Sequence, residues 1–118
     1  MKVVMPYPGR CLSVNYYRIR VGKRLTTRIR PEVKLWMEDL AQLVKSKMGG
    51  EDLGKGVVVQ VYGKFCDGRV PDLDNLAKVV LDAIKMGTGV DDRYMEFRTL
   101  GYSTGWTKPV LEIILEGC

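Results

Sequence analysis

The sequence contains no histidine. This excludes serine and cysteine nucleophiles that a histidine base activates, and it excludes zinc sites that depend on imidazole ligands. Cysteine is scarce as well, because Cys11, Cys66 and Cys118 are far apart and form no Cys-x-x-Cys pair. An odd number of widely spaced cysteines predicts reduced thiols in an intracellular protein rather than a disulfide framework.

Long apolar segments are also lacking. No apolar run approaches the length of a membrane span, and the segment before Pro6 is too short for a signal peptide. We therefore expect a cytoplasmic protein with no membrane partner. A length of 118 residues with 46% apolar content predicts one globular domain, covering residues 1–118.

The apolar pattern predicts an α+β fold. Alternation predicts strands over residues 2–5, 56–65, 94–103 and 109–117, with two short extended pieces around Gly22-Lys23. Helical spacing predicts helices over residues 31–50 and 74–87, the second capped by Asp74. In the first helix we expect a core-facing stripe of Leu35, Trp36, Leu40, Leu43 and Val44. The predicted architecture is a single domain with a mixed β-sheet and two main helices packed on it.

Two pairs of aspartates flank the second predicted helix. Asp72 and Asp74 stand one residue apart, so in an extended segment their carboxylates face the same side. Lys78 lies one helical turn beyond Asp74, and Asp82 lies a turn further. The second pair, Asp91-Asp92, follows the helix, and we expect the chain to turn back so that the two acidic patches meet.

Clustered carboxylates suit Mg²⁺ or Mn²⁺, which prefer oxygen ligands and leave positions open for phosphate. Such an ion activates water for attack on a phosphodiester, and a nearby lysine stabilises the charge that develops. The spacing alone also fits a purely structural alternative. In that alternative Asp74 caps a helix, Asp72 lies in solvent, Lys78 and Asp82 form a surface pair, and Asp91-Asp92 make a turn.

The excess of 19 Lys and Arg over 14 Asp and Glu comes mainly from one segment. Its basic residues, which have no acidic residue among them, are Arg18, Arg20, Lys23, Arg24, Arg28 and Arg30. Such a cluster favours contacts with nucleic-acid phosphates, although a solvated hairpin is the alternative. Tyr16 and Tyr17 precede it and either stack on unpaired bases or pack in the core.

The longer motif carries a resemblance to a known family. The string VPDLDNLAKVVLDAI, followed after a short gap by GVDDRY, resembles the RusA family of Holliday junction resolvases, small endonucleases common in phages and prophages. That family carries a D-x-D-N-x-x-K stretch, an aspartate near the middle of the same helix, and then an Asp-Asp pair. The segment LSVNYYR at residues 12–18 resembles the family's N-terminal motif. The similarity spans nearly the whole chain.

The resemblance implies a metal-dependent, structure-specific endodeoxyribonuclease that resolves four-way DNA junctions with Mg²⁺ or Mn²⁺. It implies that Asp72, Asp74 and Asp92 bind the metal, and that Lys78 is catalytic together with them. Residues that match the motif in a supporting role are Asn75, Asp82 and Asp91. The residues that we expect to contact DNA are Asn15, Tyr17, Arg18, Arg20, Lys23, Arg24, Arg28 and Arg69.

A homodimer is the expected assembly. Resolving a junction requires two opposed cuts, and this chain offers one acidic constellation, so an isologous dimer supplies the second site. The resemblance implies a homodimer as well. An edge strand such as residues 109–117 is a candidate for pairing across the dimer axis.

Two other functions fit parts of the sequence. A phosphatase also uses a D-x-D motif, but its nucleophilic aspartate usually ends an apolar parallel strand, whereas Asp72 follows the polar segment CDGRVP. A non-enzymatic basic nucleic-acid-binding module explains the positive charge. It leaves the aspartates at positions 72, 74, 82, 91 and 92 unexplained.

Overall fold

The computed structural model describes residues 1–22, 26–49 and 56–117. Its strands are β1 (Lys2–Pro6), β2 (Arg18–Val21), β3 (Thr26–Ile29), β4 (Val57–Lys64), β5 (Met95–Ser103) and β6 (Val110–Gly117). Its α-helices are α1 (Pro31–Met48) and α2 (Ala77–Thr88), and short 3-10 turns lie at Arg10–Leu12, Leu73–Leu76 and Asp92–Tyr94. Each predicted strand and helix is present, with bounds shifted by a few residues.

The main sheet is mixed, and the described strands follow the order β1-β6-β4-β5. β6 pairs antiparallel with both β1 and β4, while β4 and β5 run parallel. β6 therefore lies inside the sheet, and the prediction that residues 109–117 form an edge strand is wrong. The edge strands are β1 and β5, and β2 and β3 form a separate antiparallel hairpin. The predicted α+β single domain is confirmed.

Helix α2 is the crossover that parallel pairing of β4 and β5 requires. The chain leaves the end of β4, passes through the Leu73–Leu76 turn, and returns along α2 to the Asp92–Tyr94 turn at the start of β5. A 12-residue helix spans about 18 Å. The two predicted acidic pairs therefore lie beyond opposite ends of α2.

The core lies between the sheet and the two helices. Alternate residues of β4 are buried, as are Leu111, Ile113 and Leu115 of β6, which confirms the predicted alternation. The buried face of α1 is formed by Val33, Trp36, Met37, Leu40, Ala41 and Val44. Two predicted core residues are wrong, because Leu35 is 63% exposed and Leu43 is 39% exposed. Both lie on the flank of the helix, one or two residues out of phase with its buried stripe.

The start of α2 also differs from the prediction. Asp72, not Asp74, is the capping residue, since its Oδ1 accepts a hydrogen bond from the Asp74 N–H at 3.1 Å. The capped segment is the 3-10 turn, and the α-helix begins afterwards at Ala77. The helix ends at Thr88 rather than at Gly87, and it is capped by Gly89, whose φ of 76° is left-handed.

Gly87 is instead the point of closest approach between α2 and α1. A Cβ atom added there would lie 2.6 Å from the carbonyl oxygen of Ala41, which is backbone and cannot move aside easily. We expect Gly87→Ala to lower the free energy of unfolding by about 1–3 kcal/mol through overpacking, against the small gain in helix propensity. Urea denaturation measures this loss. Gly68→Ala is the matched control, because nothing lies within 4 Å of its added Cβ. Equal stability of the two variants would contradict the close approach.

None of the described helices combines the length and apolar character that crossing a membrane requires.

Candidate functional site

The first acidic pair lies on an exposed turn. The hydrogen bond from the Asp74 N–H to Asp72 Oδ1 fixes the backbone between the two residues at the start of the Leu73–Leu76 turn. Leu73 and Leu76 are buried and anchor the turn, whereas both aspartate side chains are exposed. Two carboxylates are thus held at the surface by a rigid segment.

This turn is joined to the N-terminal motif. The Val14 N–H donates a hydrogen bond to the Asn75 carbonyl oxygen at 2.8 Å. Leu12 is fully buried, which fixes the segment that leads to Asn15 and the β2–β3 hairpin. The two sequence motifs that define the resemblance are therefore neighbours in the fold, although about sixty residues separate them along the chain.

Lys78 lies on the first turn of α2, on the solvent side. Its Nζ donates to Asp82 Oδ1 at 3.3 Å, and the two side chains are 49% and 27% exposed. This is the helical surface pair that the structural alternative predicted. An exposed pair of this kind contributes little stability, so the lysine is available to a negatively charged ligand at small cost.

The second acidic pair has unequal members. Asp91 accepts a hydrogen bond from the Arg93 N–H at 3.1 Å and pairs with the Arg93 Nε at 3.6 Å. The Arg93 N–H, hydrogen bonding with the Asp92 side chain, and the charges of Lys85 and Arg93 hold the pKa of Asp91 below its ordinary value. Asp91 is therefore the carboxylate that caps the Asp92–Tyr94 turn, and Asp92 is the first residue of that turn.

The two acidic pairs do not converge within one chain. In the part of the chain that the structure describes, no three acidic or cysteine side chains are close enough to hold a metal ion together. The expectation that the patches meet in a single subunit is therefore wrong. The two pairs lie beyond opposite ends of α2, whose 12 residues span about 18 Å along the helix axis.

The predicted basic segment forms the hairpin, and Arg18, Arg20 and Arg28 are exposed on it. Lys23 and Arg24 lie outside the described residues. A groove of about 510 Å³ opens between the hairpin and the start of α1, and it is lined by Arg18, Arg28, Ile29, Pro31 and Lys34. Lys34 was missed by sequence reasoning. Its position four residues after Arg30, at the start of a helix that follows the basic segment, was the available signal.

The two tyrosines before the hairpin have different surroundings. Tyr17 belongs to the core with 8% exposure, and its hydroxyl accepts a hydrogen bond from Arg18 Nε at 3.2 Å. Its ring is therefore covered, which leaves no face for stacking on a base. Tyr16 is 42% exposed, and the Arg10 guanidinium lies 5.0 Å from its ring centroid. Of the two, Tyr16 has the accessible ring.

The remaining predicted DNA contacts are on the surface. Asn15 is exposed, and its N–H donates to the Ser13 hydroxyl at 3.3 Å. Arg69 precedes the acidic turn, its side chain is 93% exposed, and it pairs with Asp67 at 3.2 Å. Both residues lie near the Asp72–Asp74 turn. Arg69 precedes the turn along the chain, and Asn15 is next to Val14, whose N–H donates to the Asn75 carbonyl oxygen.

A family model described as Endodeoxyribonuclease RusA matches residues 13–115, a range that includes all but the first residue of the N-terminal motif, both acidic pairs and the hairpin. The chain belongs to this family, the RusA endodeoxyribonucleases. It is 30% identical over 91 residues to the crossover junction endodeoxyribonuclease RusA of Escherichia coli K12, covering 76% of this chain and 72% of the relative. The protein of the same name from Escherichia coli O1:K1 gives the same values.

Proposed function

We propose that this protein is an endodeoxyribonuclease that resolves four-way (Holliday) DNA junctions by paired phosphodiester hydrolysis with Mg²⁺ or Mn²⁺. The observation that carries the proposal is the exposed Asp72–Asp74 turn, bonded through Asn75 to the segment that leads into the basic hairpin. Membership of the RusA family and similarity to crossover junction endodeoxyribonucleases support it. DNA as the substrate also supports the cytoplasmic location expected from the sequence.

The donor set fits a hard divalent cation. Asp72, Asp74 and Asp92 supply carboxylate oxygens only, and all three lie in or directly before short turns. A bound ion of this class lowers the pKa of a water ligand and neutralises charge on the phosphate. Asp91 is already engaged by Arg93, so its role is to fix the turn that presents Asp92.

Lys78 is the residue that we assign to the phosphate. Its Nζ lies 3.3 Å from Oδ1 of Asp82, one helical turn away, and its side chain is exposed to solvent. When a phosphodiester binds at the acidic turn, the Lys78 ammonium is free to exchange Asp82 for the phosphate oxygens and stabilise the charge that builds on them. Asp82 is then the positioning residue that keeps the lysine extended in the absence of DNA.

A homodimer completes the site that one chain leaves divided. β5 is an edge strand, Asp91-Asp92 lie immediately before its start, and the Leu73–Leu76 turn contacts it. Antiparallel pairing of β5 with β5 of a second copy places the start of one strand beside the end of the other. Asp92 of one copy then approaches the Asp72–Asp74 turn of the other. Two equivalent sites result, related by a two-fold axis like that of a four-way junction.

The alternatives explain less of the arrangement. A phosphatase nucleophile would follow its strand directly, whereas residues 65–71 separate β4 from Asp72. A non-enzymatic binding module accounts for the hairpin, but it gives no reason for the exposed Asp72–Asp74 turn or the half-buried Asp91-Asp92 pair in a protein that binds a polyanion. Carboxylates in such a protein oppose phosphate unless a cation lies between them.

Incubation of the protein with a mobile four-way junction, a flap and a plain duplex tests the proposal. With Mg²⁺ we expect symmetrical cuts in the junction and little cutting of the duplex, and with EDTA we expect none. Junction binding without cutting in either Mg²⁺ or Mn²⁺ would favour the binding module. Equal cutting of all three DNAs would contradict junction specificity.

The groove beside the hairpin gives a separate prediction about binding. Replacing Arg28 and Lys34 by Ala should weaken binding to every DNA shape, because phosphate contacts carry no sequence information. The slope of log affinity against log salt should fall by up to about 1.8, at about 0.9 per lost contact. The matched control replaces the exposed Lys45 and Lys108 by Ala, which changes the net charge equally. Equal slopes for the two variants would show that the groove does not bind phosphate.

A further inference from the structure

A second groove, of about 820 Å³, opens beside the acidic turn. It lies where β1 and β4 end and β6 begins, and its apolar lining comprises Tyr7, Pro8, Phe65, Val70, Pro71 and Pro109. The rings of Tyr7 and Phe65 meet edge to face, with centroids 5.3 Å apart and planes at 79°. Gly63 makes this possible, since a Cβ there would collide with the Phe65 ring. Phe65 is buried, so the half-buried ring of Tyr7, which Phe65 supports from below, is the aromatic surface that the groove presents.

The rim of this groove is polar and carries a net positive charge. Arg10, Asp67 and Arg69 contribute to it. Asp67 accepts hydrogen bonds from the Arg69 N–H at 2.9 Å and from its guanidinium at 3.2 Å, which closes a compact turn at one side. Arginine at the rim attracts a polyanion, and the aspartate offers an acceptor for amino groups. The groove is thus apolar inside and hydrogen bonding at its mouth.

The position of the groove relates it to the chemistry proposed above. Pro71 lines it, and the next residue is Asp72, the first carboxylate of the acidic turn. A nucleotide whose phosphate lies at that turn has its base within reach of the groove. The acidic turn is anchored by its own buried Leu73 and Leu76, neither of which lines the groove.

We propose that this groove receives one unstacked nucleobase adjacent to the phosphate that is cut. A base is a flat apolar ring with a polar edge, which matches an aromatic floor, proline walls and a charged rim. Unpairing and unstacking a base costs least where the duplex is already interrupted, as at the centre of a four-way junction. The inference rests on the proposed function, and it adds a reason why branched DNA is preferred over duplex.

The test uses a four-way junction with 2-aminopurine placed, one position at a time, at the bases around the crossover. Binding is measured with Ca²⁺ in place of Mg²⁺, so that the DNA stays intact. At one position next to the cleaved bond we expect the emission to change on binding and to become protected from quenching by acrylamide. At positions further along the arms we expect neither effect.

Two substitutions in the groove are compared with a matched control. Val70→Trp fills the groove, and Tyr7→Leu removes part of its aromatic floor while keeping an apolar side chain. Each should abolish the protection and weaken junction binding by roughly 5- to 150-fold, the range for losing one base-stacking contact. Val4→Trp places the same ring on β1, at a position that is 50% exposed and outside the groove, and should bind as the wild type does.

The outcomes separate this inference from the proposed function. If the wild type fails to cut a junction in Mg²⁺, the proposed function is wrong. If the wild type cuts, but every 2-aminopurine stays open to acrylamide and Val70→Trp binds like Val4→Trp, the base site is wrong and the nuclease assignment stands. A Val70→Trp protein whose mass in solution changes while its 2-aminopurine protection persists would make the groove a protein interface and overturn the base site.

Discussion

Asp72→Asn is expected to abolish cleavage of a four-way junction while the variant still binds the junction. The change removes one negative charge from the proposed metal site but keeps an oxygen that accepts the Asp74 N–H bond, so the turn should persist. Loss of a group that stabilises transition-state charge costs about 100- to 1000-fold, and loss of a metal ligand should cost at least that. Binding should stay equal or tighten slightly, because less negative charge faces the phosphates.

Single-turnover cleavage and a gel-shift assay measure the two properties separately. Asp39→Asn is the matched control, an equivalent change at an exposed position on α1. It should cut at the wild-type rate. An Asp72→Asn protein that also cuts at that rate would show that the carboxylate is only a cap for the Leu73–Leu76 turn, as the structural alternative holds.

Mixing two inactive variants should restore activity if each site takes carboxylates from both copies. One variant carries Asp72→Asn with Asp74→Asn, and the other carries Asp91→Asn with Asp92→Asn. In a mixed dimer one site receives all the substitutions, while the other receives none, so that one intact site forms per dimer. Activity should rise from near zero to an appreciable fraction of the wild-type level, with single nicks rather than paired cuts.

The result depends on where the carboxylates come from. Sites contained within one chain leave both copies of the mixed dimer inactive, so no activity would return and the shared site would be wrong. Light scattering on the unmixed protein gives the accompanying control. A mass that stays near 13.3 kDa as the concentration rises would exclude the preformed dimer on which the complementation depends.

Local patterns predicted the elements of the fold, but not how they are arranged. Alternation along β6 identified its buried residues correctly, since Leu111, Ile113 and Leu115 all face the core. The same alternation occurs in edge and interior strands with one buried face, so it did not show that β6 lies between β1 and β4. The prediction for Leu35 on α1 failed for a similar reason. Apolar character alone placed it on the buried face of the helix, but its side chain is exposed.

The candidate site shows the same limit. The motif identified the polar residues of the candidate site, and the structure adds that Asn75 is bonded to the N-terminal motif through Val14. Asp74 and Asp92 were expected to lie close together in one chain, and they do not. Motif spacing gives the number of residues between them, but most of those residues form α2, whose length keeps the two ends apart. The groove beside the acidic turn had no sequence signal, since its lining comes from the loop after β1, the loop after β4 and the residue before β6.

The most direct test of junction resolution is the product formed from a supercoiled plasmid that extrudes a cruciform. Two cuts placed symmetrically across the base of the cruciform within one binding event convert the plasmid directly to a linear form. With Mg²⁺ and the wild-type protein we predict linear product without accumulation of nicked circles, and no product from a plasmid that lacks the inverted repeat. Cutting that is independent of the cruciform, or no cutting at all, would contradict the account.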